Sequence, residues 1–264
     1  MKVGYVQLKT LFGEKQSNFD KVSDLLKDVE DVDLVVLPEL FATGYTFTSV
    51  EEVESLSENK DGETSLFLQE MAKRTGAVIV GGFVEKFENK LYNSAMMVSK
   101  DGVIDIYRKL HLFNKEKKWF SPGNTKLKVN DVKGAKVGVM ICFDWSFPEV
   151  TRTLSLLGAE IIAHPANLVL PLCQDAMKSR CFCNKLYAIT ANRIGTEKRG
   201  EDKFEFTGRS QITSFNGEVL SSAPSDREFI DFVEIFPKKT QNKNINQYNN
   251  VHDDRREEYY WNNI

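Results

Sequence analysis

Three short segments each place a reactive side chain at or just past the end of an apolar strand: Glu39 in LVVLPELFATGY, Lys109 in YRKLHLFNKEKKWFSPG and Cys142 in VGVMICFDWSFPE. Sites in layered α/β proteins gather at such strand ends. A carboxylate emerging from a buried strand is partly desolvated, which lifts its pKa towards the range of a general base. A lysine held near a reacting carbonyl stabilises the negative charge that develops there. A thiol at a strand-to-helix elbow projects from the sheet edge, and nearby positive charge favours its thiolate. The backbone N–H of the following residue, Phe143, is then a candidate oxyanion donor.

Each of these residues also has an ordinary reading. Glu39 alone reads as a loop acid, Lys109 as a solvated lysine in a charged stretch, and Cys142 as a buried structural cysteine. Glu116, seven positions after Lys109, is either a second site carboxylate or one more exposed acid. The histidine count narrows the choice of base. Only His111, His164 and His252 exist. His111 alternates with Leu110 and Leu112 and can simply pack, His164 ends a strand before Pro165, and His252 lies in a polar tail. A glutamate and a lysine must therefore be considered as base and cation. Tyr45, Trp145 and Asn167 sit beside the three segments. The two aromatics are candidate substrate-pocket walls, or core, and Asn167 is a candidate ligand for a polar end group.

The elements that must position these residues alternate along the chain. Val3 to Leu8 reads as a strand, and Ser17 with Asp20 reads as a helix N-cap before the helical spacing of Phe19, Val22, Leu25, Leu26 and Val29. Leu34 to Leu37 is a short, wholly apolar strand. Thr64 to Thr75 is a helix with Gly76 as its C-cap, followed by a strand over Ala77 to Phe83. Asp101-Gly102 turns a hairpin between Leu91–Val98 and Val103–Tyr107, and Asn216-Gly217 turns another between Ser210–Thr213 and Val219–Ser221. Strands at Ala135–Ile141, Ile161–Ala163 and Ala188–Asn192 alternate with helices starting at Pro148 and spanning Gln174–Tyr187. Phe229 to Ile235 is the last strand. Hairpins demand antiparallel pairs, so this pattern fits an α/β sandwich with helix-covered sheets better than a purely parallel sheet.

Composition bounds the function. With 264 residues, 41% of them hydrophobic, the chain can bury a sizeable core. A net charge of −3 argues against a nucleic-acid binder or a polybasic membrane-surface protein. No apolar leader is seen and no apolar run approaches roughly 18 residues, which gives a cytoplasmic protein as the expectation. The four cysteines, Cys142, Cys173, Cys181 and Cys183, show no C-x-x-C spacing, so neither a disulfide framework nor a structural zinc site is expected.

Taken together, LPELF, YRKLHLF and ICFDWSFPE resemble the signature of the nitrilase superfamily of carbon–nitrogen hydrolases. Their order matches, as do the separations of 70 residues from Glu39 to Lys109 and 33 from Lys109 to Cys142. AEIIAHPANLVLP, ITANRIG and the terminal DDRREEYYW are similar to the microbial nitrilase/amidase branch. The resemblance implies a four-layer αββα sandwich over residues 1–237 that dimerises to eight layers. The polar tail over 238–264 is expected from its composition to pack on a partner subunit, because its aromatics Tyr259, Tyr260 and Trp261 would otherwise be exposed. It implies no metal and no organic cofactor. It assigns Cys142 as nucleophile, Glu39 as general base, Lys109 as oxyanion-stabilising cation, Glu116 as an additional catalytic glutamate and the Phe143 N–H as an oxyanion donor. One departure is Ser146, where many members carry arginine, which touches substrate detail and leaves the mechanism alone. The expected activity is cleavage of a small aliphatic amide, ω-amidase-like, through a cysteine thioester with release of ammonia. An aliphatic nitrilase and an N-carbamoyl amino acid amidohydrolase are the alternatives. A catalytically silent scaffold is a reading of another class, and the intact Glu39, Lys109 and Cys142 argue against it.

Overall fold

A computed structural model describes residues 1–260. Its first half runs β1 (Lys2–Gln7), α1 (Lys15–Leu25), β2 (Leu34–Val36), α2 (Val50–Leu56), α3 (Glu63–Thr75), β3 (Val78–Phe87), β4 (Lys90–Ser99) and β5 (Gly102–Arg108). The second half continues with α4 (Glu116–Trp119), β6 (Val129–Val132), β7 (Ala135–Val139), α5 (Pro148–Leu156), β8 (Ile161–Pro165) and α6 (Cys173–Asn184). It closes with β9 (Tyr187–Ala191), β10 (Ile194–Arg199), β11 (Asp202–Thr207), β12 (Gln211–Thr213), β13 (Val219–Ser222) and β14 (Phe229–Glu234).

Two mixed six-stranded sheets result, ordered β14-β1-β2-β3-β4-β5 and β13-β12-β9-β8-β7-β6, with β10 and β11 pairing as a separate ribbon. In the first, β1, β2 and β3 run parallel. In the second, β7, β8 and β9 do. The period-two geometry of strands explains how they layer. Val3 and Tyr5 of β1, Leu34 and Val36 of β2, Val80 of β3 and Met97 of β4 join one core with the second sheet, and that core reaches Val150 and Leu154 of α5 and Met177 and Cys181 of α6. Their neighbours Val6, Val35, Ile79, Met96 and Val98 face the other way, onto Phe19 and Val22 of α1 and Leu68, Met71 and Ala72 of α3. The layers are thus helix, sheet, sheet, helix, the αββα sandwich. A strand apolar at every position, such as β2, is what burial on both faces requires.

Most expected elements stand. Gly76 ends α3 in the left-handed conformation and Pro148 opens α5. Both expected hairpins form, the first turning on Lys100-Asp101 with Gly102 paired to Ser99 at the start of β5, the second through 214–218, where the Gly217 N–H bonds the Ser214 carbonyl (2.8 Å). Two boundaries are corrected. Ser17 does not cap α1, which begins at Lys15 without a side-chain cap. There Asn18 instead ties the incoming loop, bonding the Leu11 N–H and the carbonyls of Leu11 and Ala42. The helix expected over Gln174–Tyr187 stops at Asn184, because Lys185 turns left-handed (φ 47°) and Tyr187 starts the buried strand β9.

The tail was expected to lie on a neighbouring subunit. Within its own chain, Val251 and His252 of that tail meet α5: Arg152 donates to the Val251 carbonyl (3.1 Å) and His252 Nε2 meets Ser155 Oγ (2.9 Å). Tyr259 and Tyr260 are exposed, and Trp261 lies outside the described residues. Among the described residues no helix is long and apolar enough to cross a membrane, and no cluster of His, Cys, Asp or Glu is arranged to hold a metal ion.

Candidate active site

Glu39 follows β2 through Pro38, in a turn pressed against β3. The fit depends on Gly82, whose N–H bonds the Pro38 carbonyl (3.1 Å). A Cβ at Gly82 would come within 2.6 Å of Glu39 Cα. Only glycine lets the backbones approach so closely. Lys109 follows β5, and its backbone is pinned on both sides, by its N–H to the Asn93 carbonyl (2.9 Å) and by the Gly123 N–H to its carbonyl (2.8 Å). Gly123 is again a close approach, since a Cβ there would sit 2.2 Å from the Arg108 carbonyl oxygen.

The two side chains meet in a fully buried cluster. Lys109 Nζ donates to Glu39 Oε1 (2.7 Å) and to Glu116 Oε1 (2.8 Å). Asn93 Nδ2 donates to Glu39 Oε1 (2.7 Å), and the Tyr45 hydroxyl to Glu116 Oε1 (2.7 Å). Glu39 Oε2 has no hydrogen-bond partner among the described residues. Burial works against the lysine cation, but Glu116 and Glu39 outweigh it and hold Lys109 charged. Burial pushes the Glu116 carboxyl up to about 6; Lys109 opposes this and Glu39 adds to it. One cation between two carboxylates keeps the cluster anionic on balance once both acids are ionised.

Cys142 sits two residues beyond Ile141's neighbour Met140, where the chain leaves β7 and enters a single 3-10 turn, Cys142–Ser146, before α5. Its φ of 40° is left-handed, a strained conformation for a residue with a Cβ. Asp144 holds the elbow, accepting from the Ile141 N–H (2.9 Å), the Tyr107 hydroxyl (2.7 Å) and the His111 N–H (3.1 Å), and contacting His111 Nδ1 (2.7 Å). His164 Nε2 meets the Cys142 carbonyl (3.1 Å) while its Nδ1 meets Thr190 Oγ1 (3.0 Å). Burial lowers the His164 imidazole to about 4, so it is neutral at pH 7. His111 packs, its ring stacked on Phe147 at 3.6 Å. Burial, reinforced by Glu39 and opposed by Lys109, pushes the Cys142 thiol well above its ordinary value. The sulfur is therefore a neutral thiol at rest, to be deprotonated as it reacts.

A cavity of about 20 Å³ opens beside the sulfur, lined by Phe113, Phe143, Trp145, Asn167, Leu168, Val169 and Leu170 around Cys142. No charged side chain lines it. Asn167 is almost wholly buried, and neither its side-chain oxygen nor its nitrogen has a hydrogen-bond partner among the described residues. Trp145 and Asn167 thus lie at the thiol. Tyr45 does not line this cavity; it lies edge-on to Phe204 and Phe206, with its hydroxyl committed to Glu116. Sequence reasoning missed Asn93, Asp144 and His164. Each is a polar residue inside a strongly apolar stretch, a signal that points to a buried hydrogen-bonding role without naming the partner.

The chain matches the profile of the family described as carbon-nitrogen hydrolase over residues 2–243. It is 47% identical over 264 residues to a nitrilase of Pyrococcus abyssi, with 99% of each chain covered. It is 32% identical over 230 residues to an (R)-stereoselective amidase of a Pseudomonas species, covering 86% of this chain and 82% of the relative. Among solved structures, a carbon-nitrogen hydrolase from Helicobacter pylori superposes with a TM-score of 0.87 at 26% identity, over 98% of this chain and 97% of the other.

Proposed function

Because this chain belongs to the carbon–nitrogen hydrolase family, we propose that it hydrolyses a small, uncharged aliphatic amide through a thioester on Cys142. The observation that carries this reading is the buried Glu39–Lys109–Glu116 cluster beside a neutral thiol on a strained elbow. Glu39 takes the thiol proton as the sulfur attacks the amide carbon. Lys109 and the Phe143 N–H stabilise the negative charge on the oxygen, which is the main electrostatic term in such steps. The carbon–nitrogen bond breaks, Glu39 returns the proton to the leaving nitrogen, and ammonia departs. Glu39 then deprotonates a water that attacks the thioester, and the acid leaves with the thiol restored. Glu116 holds Lys109 in place throughout.

The charge-free lining of the cavity supports a neutral acyl group over a dicarboxylic monoamide or an N-carbamoyl amino acid, since a buried carboxylate needs a paired cation. The nitrilase relative supports a second reading on the same residues, attack on a short nitrile to give a thioimidate, which consumes two waters in all.

Ammonia release tests both readings, measured with propionamide, propionitrile, succinamate and an N-carbamoyl amino acid. Turnover of a neutral substrate is expected, with an acyl adduct on Cys142 in acid-quenched intact-protein mass spectra and no turnover by folded Cys142→Ala. Preference for a carboxylate-bearing substrate would overturn the substrate reading, and activity in Cys142→Ala would overturn the mechanism.

A further inference from the structure

The ribbon formed by β10 and β11 buries a charge pair that the proposed mechanism does not use. Arg193, just before β10, and Glu197 within it are 2% and 7% exposed. Arg193 Nη2 lies 3.0 Å from Glu197 Oε2 and donates to the Thr10 carbonyl (2.9 Å), while the guanidinium lies 4.1 Å over the Phe206 ring. Arg193 Nε and Nη1 have no hydrogen-bond partner among the described residues. Burying such a pair costs desolvation that apolar residues of the same size would avoid, so its retention calls for a role in setting geometry.

The other oxygen of Glu197 shows that role. Glu197 Oε1 accepts from two successive backbone N–H groups, those of Tyr45 (3.1 Å) and Thr46 (2.6 Å). Two residues along β10, Arg199 donates to the Thr46 carbonyl (2.9 Å) and pairs with Glu52. The ribbon therefore grips the Tyr45–Thr46 segment through two successive N–H groups and the Thr46 carbonyl. Tyr45 in turn carries the hydroxyl that donates to Glu116 Oε1, the same oxygen that receives Lys109 Nζ. The contacts form one unbroken line from Arg193 through Glu197, the Tyr45 backbone and its hydroxyl to Glu116 and Lys109.

We infer that Glu197, clamped by Arg193, is a positioning residue that sets the Tyr45 hydroxyl against Glu116 and thereby holds Lys109 where the oxyanion develops. This rests on the reading that Lys109 and Glu116 serve the reaction. Losing the Tyr45 hydrogen bond removes a donor that favours ionised Glu116, whose other charged or titratable neighbours are Lys109 and Glu39. The expected signature is thus a lower kcat and an acid limb of the pH–rate profile displaced to higher pH, with KM little changed.

The test compares two variants of equal charge. In R193M/E197Q the buried charges are gone but an oxygen still accepts from the Tyr45 and Thr46 N–H groups. In R193M/E197L that acceptor is gone as well. R193M/E197L is expected to lose about tenfold in kcat, with the displaced acid limb, while R193M/E197Q restores both. Tyr45→Phe is expected to reproduce the loss, and adding R193M/E197L to it to cost nothing further. Should R193M/E197L fail to fold, Glu197→Asp, one methylene shorter and unable to span to both N–H groups, takes its place. Equal kcat and equal acid limbs in the folded leucine and glutamine variants, or losses that simply add to that of Tyr45→Phe, would overturn the inference. Failure of the underlying mechanism is separable, because it would show as no ammonia release by the unsubstituted protein.

Discussion

Glu116 carries a buried carboxyl at the centre of the cluster, shared between Lys109 and Tyr45. Burial lifts its carboxyl from an ordinary 4.5 to about 6, so the folded state binds this proton more tightly than the unfolded chain does. The linked contribution to stability is therefore fully present below pH 4.5 and is lost as pH rises through about 6. Activity is expected to run the opposite way. Ionised Glu116 accepts from both Tyr45 and Lys109, and its protonation removes one of the two charges that hold Lys109. The rate is expected to fall on the acid side of about pH 6. Glu116→Gln is expected to lower kcat about a hundredfold and to flatten that limb, as measured by ammonia release from pH 5 to 8. A limb of unchanged position in the active variant would show that another group titrates there. Much of the cluster was legible at this scale: the three strand-end residues do converge, because strand ends in a layered fold face one region. The hydroxyl of Tyr45 was not legible. Tyrosine reads equally well as a wall or as core, and only the packing of Phe204 and Phe206 around its ring decides where its oxygen points.

At the scale of elements, the elbow after β7 is the strained part, and Asp144 is what pays for its left-handed cysteine. A buried carboxylate with four hydrogen-bonding contacts, from Ile141, Tyr107 and two atoms of His111, over-determines the turn. Asp144→Ala orphans the buried Ile141 N–H and Tyr107 hydroxyl together. Each buried donor left unpaired costs about 1–3 kcal/mol, so a loss of several kcal/mol in urea unfolding is expected, with a larger relative loss of kcat than of substrate binding. Asp144→Asn, which keeps an acceptor, is expected to fall between. Elements with a single dominant signal were legible: β2 through its apolar run, α3 through its glycine cap, the hairpins through Asp-Gly and Asn-Gly. The β10–β11 ribbon was not. Its strands alternate apolar and charged residues only loosely, and its turn, Arg199 to Asp202, rests on Gly200 at φ 57° before Glu201, a glycine-first pair less distinctive in sequence than Asn-Gly or Asp-Gly. Helix α2 likewise is short and acidic, and the Ser49-x-x-Glu52 signature that caps it went unread, although Ser49 accepts from the Glu52 N–H.

The whole molecule is held as four layers, and the segment after β14 ties its outermost layer. Thr240 is fully buried, Gln241 donates to Glu160 (3.1 Å), and Lys243 Nζ reaches the carbonyls of Asn184 (3.3 Å) and Lys185 (2.9 Å) at the C-terminal end of α6. A cation placed on those carbonyls meets the negative end of the helix, which favours it. Burial nevertheless lowers the ammonium to about 8 from an ordinary 10.5; Glu160 opposes the shift, and Arg152 and Lys185 add to it. Between those two values the unfolded chain binds this proton and the folded chain releases it, so stability rises with pH across the window. Lys243→Met removes the titration along with the hydrogen bonds. Thermal unfolding of the two proteins from pH 7 to 10 is expected to show the unsubstituted chain gaining on the variant as pH passes about 8. Parallel curves would mean that the tail is fixed by Thr240 and the contacts of His252 and Arg152 alone. Because α5 follows directly from the Cys142 elbow and packs on α6, loosening this tie is expected to reach the thiol through the helix layer, and the same samples assayed for ammonia release would show it as a fall in kcat alongside the change in stability.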